Sequence, residues 1–278
     1  MRDFCFRHPL FSSLLLLSVS IGLQQYSSFL ASFWSDAALD RKLIENSVGA
    51  LFSLWVLLML RVRIYWWSDQ LVRQSYLLLL PMSYLLVNFL GEALVWPTWS
   101  QLFLIAGESL LSGFLEEVLL RGCILMLIFR AMPEQGLLRA VLLSSLMFGL
   151  AHWANLLKVE ADWITVLAQV IYGFFIGVGF AAVYVRTCAL MPLILIHGGI
   201  NMTDALTQDI ATEARDIATK ARDIATKAPD IATKAPDVAT GPWADFVQIA
   251  PVILLCLPLL IYGVFLLRLS QRRRLHFH

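Results

Sequence analysis

The sequence predicts an all-α fold: a polytopic helical membrane protein with about eight transmembrane helices around an intramembrane polar cavity. Three observations lead there. The 278-residue chain is 59% hydrophobic and only 15% charged, against about 25% charged in an ordinary soluble domain. Its apolar runs reach the roughly 20 residues needed to cross a hydrocarbon core. Ionisable side chains interrupt those runs at few positions, and a charge at the centre of a membrane helix costs roughly 2.5–3.5 kcal/mol. Several such residues in one chain are expected to act together, as a polar site inside the membrane. The alternating segments of about ten residues that mark an outer-membrane barrel are absent.

Taken in order, the expected spans are 10–33, 44–60, 76–96, 101–129, 138–157, 164–185, 188–206 and 246–268. The first follows a basic stretch, MRDFCFRHPL, and lacks a small-residue cleavage site, so it reads as a span or signal anchor. The fourth is long and is expected to tilt or kink at Gly107 or Gly113. The chain divides into N-terminal transmembrane helices (1–99), a helical core bearing the polar residues (100–206), an extracytoplasmic loop (207–245), and a last helix with a basic cytoplasmic tail (246–278). With the N-terminus inside, the inner segments collect twelve Lys and Arg, from Arg2 to Arg274; the outer loops hold eight, five of them in the 207–245 loop. The positive-inside rule therefore favours both termini in the cytoplasm. That is the plasma membrane, the inner one, if the host is bacterial. Trp34, Trp66, Trp67, Trp96, Trp99 and Trp243 fall near span ends, as an interfacial belt would, and Glu92 reads as interfacial too.

The 207–245 loop repeats a heptad, DIATEAR, DIATKAR, DIATKAP, DIATKAP. One Ile per heptad makes no coiled-coil seam, and Pro229 and Pro236 would break a continuous helix. The repeat reads as a tandem duplication tolerated in an exposed loop, or as a spacer outside the membrane. Cys5, Cys123, Cys188 and Cys256 are scattered without a CxxC pair and read as packing residues. A net charge of +1 gives no reason to expect a nucleic-acid partner.

Helical geometry sorts the polar residues. Glu117 and Arg121 are four apart on one face, in the favourable order for an ion pair. Glu116 points about 100° away from Glu117, so Arg121 can neutralise Glu117 while Glu116 faces a cavity. Phe148 and His152 are four apart, which lets the ring wall the imidazole. His197 and Asn201 share a face, with Gly198 and Gly199 between them allowing close approach of another backbone or a substrate. Glu108, eight residues before Glu116, is a minor candidate on a similar face. A buried carboxylate can deprotonate water, a histidine can share that water or its proton, and His and Asn can donate to a developing oxyanion. Those parts suffice for peptide hydrolysis without a Ser or Cys nucleophile.

In order along the chain stand Glu116-Glu117-x-x-x-Arg121, Phe148-x-x-x-His152 and His197-x-x-x-Asn201. These resemble the EExxxR, FxxxH and HxxxN motifs of the CPBP intramembrane proteases, the family of the type II CAAX prenyl endopeptidases and the bacteriocin-immunity (Abi) proteins. The resemblance spans about residues 100–206. It implies a helical fold with a conical cavity and Glu116 activating water with help from His152. It also implies His197 and Asn201 at an oxyanion site, with Glu117 and Arg121 in structural support. Leu120 departs from the Phe that many members carry before the Arg. The resemblance favours a mechanism without cofactor. The alternative is a zinc site with Glu116, His152 and His197 as ligands, although HExxH is absent.

The expected function is thus an intramembrane endopeptidase acting in the lipid bilayer on a membrane-embedded or membrane-anchored protein or peptide, lipidated or bearing a C-terminal signal. A non-catalytic immunity or scaffold protein on the same fold is the alternative. A proton-coupled transporter is a further one, but the inverted internal repeats expected of it are not evident.

Overall fold

The computed structural model describes residues 1–35, 37–91, 97–133, 136–157, 163–206 and 242–271. Most of the 207–245 repeat loop, Glu92, Trp96 and the tail from Arg272 lie outside the described residues. The described residues are helical and contain no strand. After a short helical turn at Arg2–Arg7, the helices are α1 (Pro9–Ala31), α2 (Ala38–Leu60), α3 (Leu79–Gly91), α4 (from Trp99), α5 (Gly136–Ala151), α6 (Trp163–Thr187), α7 (191–206) and α8 (Pro242–Gln271).

Among the described residues, four stretches are long and apolar enough to cross a membrane: Pro9–Ala31, Leu39–Leu60, Gly136–Leu157 and Trp163–Thr187. Two shorter apolar stretches, Ser75–Val87 and Ile253–Arg268, do not reach that length. The α-helical part of α4 carries Glu108, Glu116 and Glu117, which break its apolar run. Large apolar side chains such as Leu51, Leu58, Leu90, Phe103 and Ile261 are exposed on the outer surface, where lipid would cover them.

α4 starts on a capping box. Thr98 accepts from the Gln101 amide, and the Gln101 side chain returns a bond to the Thr98 amide at 3.0 Å. It runs as α-helix to Glu117, widens into a π-helical stretch at Val118–Leu125, and resumes at Met126–Ala131. The irregularity expected at Gly107 or Gly113 therefore lies after the Glu pair. Gly113 serves instead as a point of contact with α7: a Cβ there would stand 2.7 Å from the Gly198 amide nitrogen and 2.9 Å from the Ile194 carbonyl oxygen. Buried Ser109, one turn earlier, completes a small-xxx-small surface. Gly199 meets the Leu85 side chain rather than a backbone.

The segment after α2 sets the start of α7. The Leu190 and Met191 amides, orphans at a helix start, donate to the Tyr65 and Trp66 carbonyls at 3.0 and 3.1 Å. Trp66 is also stacked on Phe114 of α4, with ring centroids 5.9 Å apart. α6 lies at the centre of the bundle, with Phe180 and Val183 fully buried. Glycines let its neighbours approach: Gly149 of α5 faces the Val170 carbonyl, and Gly263 of α8 faces the Val178 carbonyl. Cys5, Cys123 and Cys256 are buried and Cys188 is half-buried; all four are free thiols.

Candidate active site

Three helices bring the motif residues together. Glu116 and Glu117 end the α-helical part of α4, and Arg121 follows within the π-helical stretch. His152 opens the 3-10 turn His152–Leu157 that continues α5. His197 and Asn201 lie on α7, which the Gly113–Gly198 contact holds against α4.

The two glutamates have different surroundings. Glu117 is fully buried and pairs with Arg121 at 3.1 Å. The Arg121 guanidinium carbon lies 4.7 Å from the Phe148 ring centroid and 5.8 Å from that of Phe180, so aromatic faces supply part of its environment. Glu116 keeps 25% of its side chain exposed. The expected division, with Glu117 on Arg121 and Glu116 toward a cavity, matches this arrangement. The structure adds a shared partner. His197 bridges the two carboxylates, with Nδ1 2.8 Å from Glu117 Oε1 and Nε2 3.2 Å from Glu116 Oε2. Two carboxylates, one imidazole and one guanidinium thus sit in a single cluster within which charge can balance.

Asn201 and Glu116 are joined through a residue outside the motifs. Asn201 Nδ2 donates to Ser112 Oγ at 3.1 Å, and Ser112 Oγ donates to Glu116 Oε1 at 3.1 Å. Ser112 lies one turn before Glu116, the i, i+4 spacing by which two side chains share a helix face. That spacing was a readable signal, but a serine in an apolar helix passes as a small packing residue.

His152 Nδ1 lies 3.1 Å from the Phe148 carbonyl oxygen. A carbonyl only accepts, so Nδ1 carries the hydrogen in this contact and Nε2 offers a lone pair. The Phe148 ring stands edge-on to His152 at 5.1 Å and 73°, and to His197 at 5.8 Å and 79°, so it walls both histidines.

Two cavities meet at this cluster. The larger, about 600 Å³, is bordered by Glu116, Ser112, Phe148 and His152, and extends past Gln24, Asn46 and Asn155 to Arg41 and Lys42. The smaller, about 400 Å³, shares Glu116, Ser112, Phe148 and His152 and reaches Tyr172, His197, Asn201 and Asp204. Glu108 borders both cavities and is held by Asn46 Nδ2 at 2.9 Å, so it ties α2 to α4 beside the site.

Both His197 nitrogens face carboxylate oxygens, and among the described residues no three His, Cys, Asp or Glu side chains form a metal-holding group.

Residues 97–203 match the family model of the Rce1-like type II CAAX prenyl endopeptidases. The matched segment runs from the start of α4 into α7, covers less than half of the chain, and contains every motif residue. It is consistent with the CPBP family. No curated protein and no solved structure matches the chain. The four apolar stretches and the Rce1-like match make this an integral membrane protein, and the matched segment is similar to a CAAX-type endopeptidase domain.

Proposed function

We propose that the protein is a glutamate-dependent intramembrane endopeptidase that hydrolyses a peptide bond of a membrane-anchored protein. The observation that carries this reading is the position of Glu116. Its carboxylate is fixed by Ser112 and His197 where two cavities meet, and His152 borders the same junction. The rest of the proposal is a chain of about eight spans with both termini cytoplasmic, as the loop charges favour. Labelling of cysteines introduced at Arg2 and Gln271 from each side of sealed vesicles tests that orientation; protection of either site from the cytoplasmic side would reverse it.

In the proposed reaction, a water between Glu116 and His152 gives a proton to the Glu116 carboxylate, while His152 Nε2 accepts its other hydrogen bond. The water oxygen attacks the scissile carbonyl carbon. Negative charge grows on the carbonyl oxygen, where the second N–H of Asn201 donates to it, joined by the Nε2–H of His197 once protonation of Glu116 releases that N–H from the carboxylate. The C–N bond then breaks, and the Glu116 carboxylic acid returns its proton to the leaving amine. Glu117 and Arg121 hold the His197 ring and the π-helical stretch in place. No step passes through a metal.

The test is a substrate trap. Membrane proteins from cells expressing wild type or Glu116→Ala are compared by mass spectrometry of their C-terminal peptides. At least one membrane-anchored protein is expected to stay uncleaved with the variant and to be trimmed with wild type. Identical profiles would argue for the non-catalytic reading of the fold.

A further inference from the structure

Asn155 belongs to none of the three motifs and has no part in the proton transfers above. A 3-10 helix has three residues per turn, so side chains at i and i+3 eclipse. Within the turn His152–Leu157, this places Asn155 on the same face as His152. Both border the larger cavity, together with Glu116 and Ser112. Asn155 is held from α6: its Nδ2 donates to Gln169 Oε1 at 2.8 Å. As placed, that bond uses one of the two N–H groups of Asn155. Among the described residues, a second N–H and the carbonyl oxygen are left, a donor and an acceptor side by side. This is the pattern that complements a peptide group, and a lipid chain has no use for it. Docking of α5 on α6 does not depend on this bridge. The backbones already touch where a Cβ on Gly149 would stand 2.5 Å from the Val170 oxygen, and Gly173 packs under the His152 ring.

We propose that Asn155, oriented by Gln169, is a substrate-binding residue that hydrogen-bonds the backbone of an extended peptide lying in the larger cavity beside the scissile bond. This rests on the endopeptidase reading above. It assigns the larger cavity to the peptide portion of the substrate.

The test uses the full chain in lipid nanodiscs. The probe is a peptide ending in S-farnesylcysteine, two aliphatic residues and methionine, with an analogue in which one backbone N–H beside the scissile bond is replaced by ester oxygen. Asn155→Ala and Gln169→Leu are expected to raise KM about tenfold, the size of one good hydrogen bond, with a much smaller effect on kcat. The ester analogue is expected to bind wild type more weakly and to lose that penalty in Asn155→Ala, because the two changes remove the same contact. A wild-type KM in both variants, or an undiminished ester penalty in Asn155→Ala, overturns the proposal. Binding of the probe to Glu116→Gln with and without Asn155→Ala reads the contact without turnover. If wild type fails to cleave the probe, the endopeptidase reading fails for that substrate. Equal affinities in this binding pair would then sink the Asn155 contact separately, and a tenfold loss would support it.

Discussion

Glu116 and Glu117 are neighbours in sequence, yet substitution at each has a different expected consequence. Glu117 has no exposed surface and lies between Arg121 and His197. Removing its charge strands a guanidinium that the structure buries to 2% exposure. Breaking one side of a buried ion pair costs about 3–5 kcal/mol. Glu117→Gln is therefore expected to lower the thermal midpoint of the purified protein strongly, by several degrees or more. Glu116→Gln, at a partly exposed position that keeps a hydrogen-bonding side chain, is expected to melt within a degree or two of wild type. Thermal unfolding in detergent compares the two directly, and equal losses would contradict the separation of roles. The motif residues were legible because charge in an apolar helix is rare enough to stand out. Helix angle alone separates Glu116 from Glu117. That His197 would bridge both carboxylates was not legible. The contact joins residues 80 positions apart and depends on how α7 is docked on α4.

At the scale of elements, the site depends on one close crossing. α4 and α7 touch backbone to backbone at Gly113 and Gly198, and the Ser112–Asn201 bond lies beside that contact. Gly113→Ala puts a methyl within 3 Å of two backbone atoms, which forces the helices apart. Overpacking of this kind costs about 1–3 kcal/mol. Activity is expected to fall further than stability, because the Asn201–Ser112–Glu116 chain stretches with the crossing. Gly22→Ala is the control: nothing lies within 4 Å of the added methyl, so stability should hold or rise slightly. Activity assays and melting curves of the two variants check this, and an active Gly113→Ala would show that the crossing does not hold the site. The sequence marked Gly198 as a place for close approach but could not name its partner. It also offered no cue for the π-helical stretch: hydrophobic pattern in a helix that is buried on all sides, as Val118–Leu125 is, does not distinguish a π turn from an α turn. The 3-10 turn at His152 was hidden for a similar reason, since it continues α5 without a break in composition.

For the whole molecule, the helical class was legible from composition alone. Most helix limits among the described residues fall within a few residues of the expected spans; α2 starts at Ala38 rather than 44, and α5 gives way at His152 to a 3-10 turn. The span count is less direct. Among the described residues, four stretches have the length and apolarity to cross unaided, and the helices that carry Glu116 and His197 are not among them. The physical reason is the site itself: acidic residues shorten the apolar run of α4, and α7 ends soon after Asn201. Such helices depend on their neighbours, α4 on α2 and α7 on α4, rather than on their own hydropathy. The bundle thus places polar residues where lipid would reject them singly, and supplies the buried partners that retain them. The most direct measurement of what that arrangement does is single-turnover cleavage of a farnesylated CAAX peptide by purified wild type and Glu116→Gln, each with a zinc chelator present. Wild type is expected to cleave with the chelator, and Glu116→Gln, folded to the same melting point, to be slower by about 10²–10⁴-fold. Cleavage by Glu116→Gln at the wild-type rate, or wild-type activity that chelation abolishes and zinc restores, would contradict water activation by Glu116 without a metal.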